Sequence, residues 1–239
     1  MPLYLSRLVL NPKSRLVRRD LADCYQMHRT VMAAFPPAPA GESPRAYHGV
    51  LYRADVDQYT GIVKLYVQSR ERPDWSRLDP DYLLEPPLHK MVSDQYSRLT
   101  NGMALRFRLR ANPTRKIDTK SGPDGRRRHG KRVDLRREAD QVSWLRRKAA
   151  QGGFEILSVR VNADVPDVRV ISEGRVTCVR GRQSLDGPGQ SDGGRVLVFA
   201  SVVFDGNLRI VDADTFRSEE HTSELQSHVN LVCRLLLEK

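Results

Sequence analysis

The sequence of 239 residues contains few aromatic residues, few cysteines and no long apolar run. Phe, Trp and Tyr make up 7% of the chain, which is too little for a surface that binds a partner mainly by stacking on aromatic rings. The cysteines Cys24, Cys178 and Cys233 are far apart and lack metal-ligand spacing, so we expect reduced thiols. With no signal peptide and no run of membrane-spanning length, we expect a cytoplasmic protein that contacts no membrane.

The sequence also lacks a cluster of metal ligands, while positive charge is in excess. The six histidines are scattered, and no group of His, Asp and Glu has ligand spacing, so we expect no metal and no other cofactor. Lysine and arginine total 40 against 29 acidic residues, which gives a net charge of +11. This balance favours a polyanionic partner, and we prefer nucleic acid to the alternative of a basic surface that is merely solvated.

The chain divides into two halves that begin alike. Each half opens with an apolar strand that closes on a Leu-x-x-Asn-Pro signal, at residues 8–12 and at residues 109–113, and a helix follows in both. We therefore predict an α+β protein built from a duplicated unit. The predicted domains span residues 1–98 and 103–216.

Apolar periodicity predicts the elements of each half. Residues 104–110 alternate apolar side chains with arginine, the pattern of a half-buried strand whose other face is basic. Asp205-Gly206 is expected to form a turn. We predict further strands at residues 3–10, 48–56, 62–69, 155–162, 168–172, 195–204 and 208–211, a final strand of the first half near 91–96, and helices at 20–35, 75–84 and 136–151.

The helix predicted at residues 20–35 contains the residues of most chemical interest. Asp20 is placed to cap it, and Asp23 lies three residues later, as in a capping box. Tyr25 and His28 lie one turn apart on its apolar stripe, with Arg29 at the edge. A histidine on such a stripe is either a core side chain satisfied by a neighbour or a group used for proton transfer.

A glycine-containing basic segment occupies residues 115–132. Its charges repel one another, so we expect a loop that is disordered in the absence of a partner. Its lysines and arginines include Lys116, Arg126, Arg127, Arg128, Lys131 and Arg132. A hairpin is expected to begin at residues 175–182, with its loop at residues 187–194.

Four motifs resemble the CRISPR-associated endoribonuclease of type I-E systems: MPLYLSRLVLNP, YQMHR, LRFRLRANPTRK, and QVSWLRRK followed by GGF. The resemblance implies two tandem ferredoxin-like (RRM-like) domains. It implies a protein that cuts precursor CRISPR RNA at the base of the repeat hairpin without a metal and stays in the Cascade complex with other subunits. It further implies that His28 and Tyr25 are the catalytic pair, and that Arg175, Arg180 and Arg182 lie on an RNA-contacting hairpin.

Histidine and tyrosine suit this chemistry. A ribose 2′-hydroxyl attacks the adjacent phosphorus, giving a 2′,3′-cyclic phosphate, so one oxygen loses a proton and the leaving 5′-oxygen gains one. Histidine titrates near neutral pH, and such general acid–base help contributes about 10²–10⁴-fold. No metal is required by this reaction because the nucleophile is tethered to the phosphate.

Recognition of the hairpin should depend on arginine and lysine contacts to phosphates. The alternative for each single residue is a solvated surface position, and the alternative for the whole protein is a non-catalytic module that binds an RNA hairpin. The RNA-binding candidates are Arg29, Arg108, Arg110, Lys116, Arg126, Arg127, Arg128, Lys131, Arg132, Arg175, Arg180 and Arg182.

The resemblance ends near Phe216, where a helix, a basic glycine-rich loop and a last strand are expected. Residues 217–239 instead match the translation of a widely used sequencing adapter on both sides of an index-sized gap. We therefore expect residues 217–239 to be non-native and the second domain to be truncated, without its closing helix and strand.

Overall fold

The computed structural model describes residues 2–117, 131–160, 163–180 and 195–221. Within these ranges the chain forms two α+β domains in tandem, each with an antiparallel sheet and packed helices. Each domain has its own apolar core.

The first domain has one four-stranded antiparallel sheet in the order β2-β3-β1-β4, the strand order of a ferredoxin-like fold. Its buried core joins Leu8 and Leu65 of the sheet to Val17 and Val31 of the helices. Its elements are β1 (Tyr4–Val9), α1 (Arg15–Ala22), α2 (Cys24–Met32), α3 (Pro44–Tyr47), β2 (Leu51–Val56), β3 (Val63–Ser69), β4 (Leu88–Met91) and α4 (Ser93–Ser97).

The helix predicted at residues 20–35 is two helices, and its predicted start was wrong. Helix α1 begins at Arg15, where the Ser14 hydroxyl accepts a hydrogen bond from the Val17 amide, so part of the expected connection is helical. Asp23 interrupts the path with an extended backbone (φ −134°, ψ 110°), and its carboxylate caps α2 by accepting from the Tyr25 amide at 2.9 Å. Asp20 is not a cap, because it is buried and accepts from the Tyr82 hydroxyl at 2.8 Å.

Two other first-domain elements differ from expectation. The helix expected at residues 75–84 is a single 3₁₀ turn, Trp75–Arg77. The final strand lies at Leu88–Met91, before the predicted range, and residues 93–97 form α4 instead. Pro86 and Pro87 therefore end a loop directly before β4.

The second domain has a sheet in the order β11-β12-β5, and β8 pairs with the end of β12 beyond β11. Among the described residues, no strand lies on the other side of β5. Its elements are β5 (Ala104–Ala111), β6 (Thr114–Ile117), β7 (Lys131–Asp134), α5 (Glu138–Gln151), β8 (Phe154–Ile156), β9 (Ser158–Arg160), β10 (Ala163–Pro166), β11 (Val168–Arg180), β12 (Arg195–Ile210) and α6 (Ala213–His221).

Strand β5 confirms the alternation predicted for it. Phe107 and Leu109 are buried in the second core, whereas Arg106 and Arg108 project from the opposite face. Helix α5 ends at Gln151, as predicted, with Gly152 as its C-cap, and Gly153 adopts a positive φ of 73°.

Asp205-Gly206 is not a turn. The two residues lie inside β12, which runs unbroken to Ile210, so the separate strand predicted at residues 208–211 was wrong. Gly206 serves a close approach of two backbones, since a Cβ there would lie 2.3 Å from the Asp167 carbonyl oxygen. A glycine in a strand can mark such an approach as well as a turn.

A closing helix is present in the second domain, contrary to expectation. Helix α6 extends to His221, and Phe216 within it is 1% exposed and packs edge-to-face on Phe154 with ring centroids 5.7 Å apart. Arg217 donates to the Leu99 carbonyl at 2.6 Å. The adapter origin of residues 217–239 stays a prediction.

The basic segment is not a loop throughout. Its ends form the antiparallel hairpin β6–β7, in which Lys116 pairs with Arg132 and Ile117 with Lys131, and the middle of the segment lies outside the described residues. Cys24 is disulfide-bonded, so the expectation of reduced thiols was wrong for this residue. No described helix is long and apolar enough to span a membrane.

Candidate active site

Helix α2 presents the predicted residues at the junction of the two domains. Tyr25 lies in its first turn and His28 one turn later, and both are partly exposed, whereas Arg29 is exposed. The helix also contacts β11 of the second domain. The break at Asp23 ends α1 and starts α2 directly before Tyr25.

The His28 ring is held by packing. It stacks on Tyr52 of β2, with ring centroids 6.4 Å apart and an interplanar angle of 25°. Its Nδ1 atom is buried and has no hydrogen-bond partner among the described residues. A core histidine would be satisfied on both nitrogens, so this environment differs from that of a purely structural side chain.

His48 provides the comparison within the same domain. It is 1% exposed, its Nε2 lies 2.9 Å from the Pro36 carbonyl oxygen, and its Nδ1 lies 2.8 Å from a Glu71 carboxylate oxygen. His48 is therefore the satisfied core histidine of this domain.

The surroundings of His28 disfavour its charged form. Burial, and to a smaller extent repulsion from Arg45, lowers the pKa of His28 from 6.5 to about 4. Arg45 is itself buried and donates to the Val50 carbonyl at 3.1 Å. His28 is thus a neutral imidazole at pH 7, ready to accept a proton.

The arginines of β5 line the boundary with the first domain. Arg106 and Arg108 each lie 3.4 Å from Asp205 and are 60% and 43% exposed. Arg110 is 19% exposed and pairs with Glu173. A cleft of about 60 Å³ between the domains includes Arg53 and Tyr66 in its walls, and it is too small for the roughly 300–1,000 Å³ of a typical ligand pocket.

The other RNA-binding candidates are spread over the second domain. Lys116 and Arg132 are exposed side by side on β6–β7, and Arg175 is exposed on β11. Lys131 and Arg180 lie in strands, but their side chains are outside the described set. Arg126, Arg127, Arg128 and Arg182 lie outside the described residues altogether.

Sequence reasoning missed three residues that shape the site: Tyr52 beside His28, Arg45 near it, and Arg53 at the domain boundary. The alternation of residues 51–56 places Tyr52 and Arg53 on opposite faces of a strand, but it does not say what covers either face. No group of three or more His, Cys, Asp or Glu side chains in the described part of the chain could hold a metal ion.

The fold and the site define a protein of two tandem ferredoxin-like domains with a tyrosine and a histidine on one first-domain helix. Residues 3–221 match the family described as CRISPR associated protein, so the chain belongs to that family. The match extends beyond Phe216, where we expected the resemblance to end.

Named relatives agree with this assignment. The chain is 34% identical over 213 residues to the CRISPR-associated endoribonuclease Cse3 of Thermus thermophilus, covering 89% of this chain and 88% of the relative. It is 30% identical over 213 residues to the Cascade subunit CasE of Escherichia coli, covering 88% and 86%.

Solved structures confirm the predicted fold class. A structure of Cse3 bound to a 19-nucleotide RNA matches with a TM-score of 0.66 and 31% identity, covering 91% of this chain and 90% of that one. Cas6e of Escherichia coli matches with a TM-score of 0.58 at 22% identity, which supports the fold alone.

Proposed function

We propose that this protein is a metal-independent endoribonuclease that cuts precursor CRISPR RNA at the base of the repeat hairpin and remains bound as a Cascade subunit. The observation that supports this most directly is His28, a partly exposed imidazole with an unsatisfied buried Nδ1, one turn from Tyr25 on α2. The relationship to Cse3 and CasE supports the same reaction and the same partners.

In the proposed reaction, neutral His28 accepts the proton of the ribose 2′-hydroxyl as that oxygen attacks the adjacent phosphorus. The bond to the 5′-oxygen breaks, and the leaving oxygen receives a proton from Tyr25 or from the His28 imidazolium. The products are a 2′,3′-cyclic phosphate and a 5′-hydroxyl. The lowered pKa of His28, about 4 in the free protein, keeps the imidazole neutral and therefore able to accept this proton when the reaction begins.

Exposed cations on α2, on β11 and on the β6–β7 hairpin are the proposed phosphate contacts. Arg29 lies on α2 itself, Arg175 on β11, and Lys116 and Arg132 on the β6–β7 hairpin. Each can neutralise a phosphate, so their combined contribution should fall as the salt concentration rises. Residues 1–98 would then supply the catalytic residues, and residues 103–216 would supply much of the binding affinity for RNA.

Replacing His28 with alanine tests the proposal. Cleavage of a synthetic type I-E repeat hairpin in excess chelator should fall by about 10²–10⁴-fold, while hairpin affinity changes only a few-fold, because the side chain transfers protons and does not hold the RNA. His89→Ala is the matched control, since His89 is exposed on β4 of the same domain.

Product and substrate analysis completes the test. Mass spectrometry should find a 2′,3′-cyclic phosphate, and a 2′-deoxynucleotide at the cut should block cleavage without blocking binding. A magnesium requirement or a 3′-hydroxyl product would overturn the mechanism. Binding without cleavage by the unmodified protein would support the second candidate, a non-catalytic hairpin-binding module. An unfolded His28→Ala protein that binds no RNA would support a structural histidine.

A further inference from the structure

Two arginines each donate a hydrogen bond across the boundary between the domains. Arg53 of β2 donates from Nη1 to the Arg108 carbonyl oxygen at 2.9 Å. Arg110 of β5 donates from Nη1 to the Ala54 carbonyl oxygen, also at 2.9 Å. Each domain thus inserts one guanidinium against a main-chain carbonyl of the other, and the two contacts lie side by side on the same pair of strands.

A carboxylate on its own domain orients each guanidinium. Asp55 accepts from Nε and Nη2 of Arg53 at 3.0 and 2.7 Å. Glu173 accepts from Nε and Nη2 of Arg110 at 2.8 and 2.6 Å, and the Ser201 hydroxyl donates to it at 2.6 Å. Glu173 meets Arg110 with both carboxylate oxygens, which fixes the plane of that guanidinium. Asp55 holds two donors of Arg53 with the single oxygen Oδ2. In both pairs Nη1 is left to donate to the opposite domain.

The position of Glu173 depends on an irregularity in the sheet. The β11–β12 register shifts between Ser172 and Gly174, so Glu173 is an extra residue without an opposite partner. Bulges of this kind re-aim a side chain. Burial opposes the ionisation of Glu173, but the hydrogen bonds from Arg110 and Ser201 outweigh it, and the pKa of Glu173 lies below its usual value. An ionised carboxylate is thus directed at Arg110.

We propose that Arg53 and Arg110, together called the arginine clamp, are positioning residues that fix His28 relative to RNA bound on the second domain. Arg53 directly follows Tyr52, whose ring lies against His28, and Glu173 lies on β11, which contacts α2. The clamp therefore ties together the two strands that flank the active-site helix. The expected effect of the clamp on cleavage rests on the proposed function. Its expected effect on the geometry of the two domains is independent of that function.

The burial of the clamp distinguishes it from the exposed arginines of the second domain. The Arg53 and Arg110 side chains are 4% and 19% exposed, against 60% for Arg106 on the same strand as Arg110. The pairing of Arg110 with Glu173 and Ala54 occupies three of its donors. Arg110 was a candidate RNA ligand from the sequence, so a direct phosphate contact is the competing explanation.

The test compares Arg110→Met, which keeps the aliphatic stem, with Arg106→Met, a matched control that lacks an interdomain bond. In single-turnover assays at saturating hairpin RNA, Arg110→Met should lower the cleavage rate about tenfold or more and leave the hairpin Kd within about threefold, because misalignment slows the reaction of bound substrate. Arg106→Met should leave the rate at saturation unchanged. If Arg110→Met does not fold, Glu173→Gln, which removes one charge at constant shape, takes its place.

A second readout needs no cleavage. Spin labels attached through unnatural amino acids at Tyr59 and Val211, both exposed and on different domains, report the interdomain distance in the full chain. Arg110→Met should broaden the distance distribution, and Arg106→Met should not. A parallel loss of RNA affinity with an unchanged distance distribution would make Arg110 a phosphate ligand and overturn the clamp, as would unchanged rate and distances. Inactivity of the unmodified protein would refute the proposed function and leave the distance result to decide the clamp.

Discussion

The first domain meets the junction with helix α2 and strand β2, whereas the second meets it with strands alone, β5 and β11. In the first sheet β1 lies between β3 and β4, whereas in the second β5 has β12 on one side. The described part of the second domain has no strand on the other side of β5. Near β5 the structure places Arg53 and Ala54 of the first domain. One topology thus presents a helix with the candidate site in one copy and a basic surface in the other.

The long strands of the second domain reinforce this difference. Strand β12 extends over Arg195–Ile210 and β11 over Val168–Arg180, longer than any strand of the first domain. They form a ribbon in which β11 contacts α2, and one face of β12 packs on the second core. The two cores share no buried residue, so the domains should respond separately to core substitutions.

The largest expected effect is on the second core. Phe216→Ala should lower the free energy of unfolding of the second domain by about 3–5 kcal/mol, because it removes a fully buried ring from contact with Phe154. The two tryptophans, Trp75 and Trp144, lie in different cores, so single-tryptophan variants report each domain separately. In urea unfolding the Trp144 transition should shift while the Trp75 transition stays. A joint shift would mean that the domains unfold as one cooperative unit.

A smaller effect is expected from the cap of helix α2. Asp23→Ala should cost about 1 kcal/mol, because the Tyr25 amide loses its 2.9 Å acceptor, and the loss should appear in the Trp75 transition. Ser14→Ala is the matched control on α1, where the hydroxyl–amide distance is 3.5 Å, and its cost should be smaller. Equal costs would indicate that α1 and α2 behave as one helix despite the break at Asp23.

The smallest effect concerns the titration of His28. Arg45→Met should raise the pKa of His28 above its value of about 4, and the pKa should stay below 6.5 because burial remains. The lowered pKa contributes stability that is present above pH 6.5 and is lost as the pH falls toward 4, since there the unfolded chain binds a proton that the folded chain does not. Arg45→Met should narrow the pH range over which this stability is lost. The fall of the cleavage rate at low pH should move to higher pH.

Histidine NMR titration checks this expectation directly. Arg45→Lys keeps the positive charge and should leave the pKa of His28 near its original value, which separates the charge from the shape of the side chain. A His28 pKa that is unchanged in Arg45→Met would show that burial alone sets it.

Local sequence patterns were sufficient to predict features that depend on a single segment of the chain. The alternation of residues 104–110 determined which side chains of β5 enter the core, because successive side chains of a strand point to opposite faces. The pair Gly152-Gly153 determined the end of α5, since a left-handed backbone after a helix favours glycine. The apolar spacing of Tyr25 and His28 placed them on one helix face, and four motifs identified the family.

The tertiary structure determined which partners the side chains on each face of a helix or strand contact. Nothing near residue 110 in the sequence indicates that its guanidinium meets Glu173, because that carboxylate is brought to it by a bulge two strands away. Likewise, the sequence cannot separate His28 from His48: one nitrogen of His28 stays unsatisfied while both of His48 have acceptors, and those acceptors come from Pro36 and Glu71. The physical reason is that periodicity determines the direction of a side chain, whereas its partners depend on long-range packing.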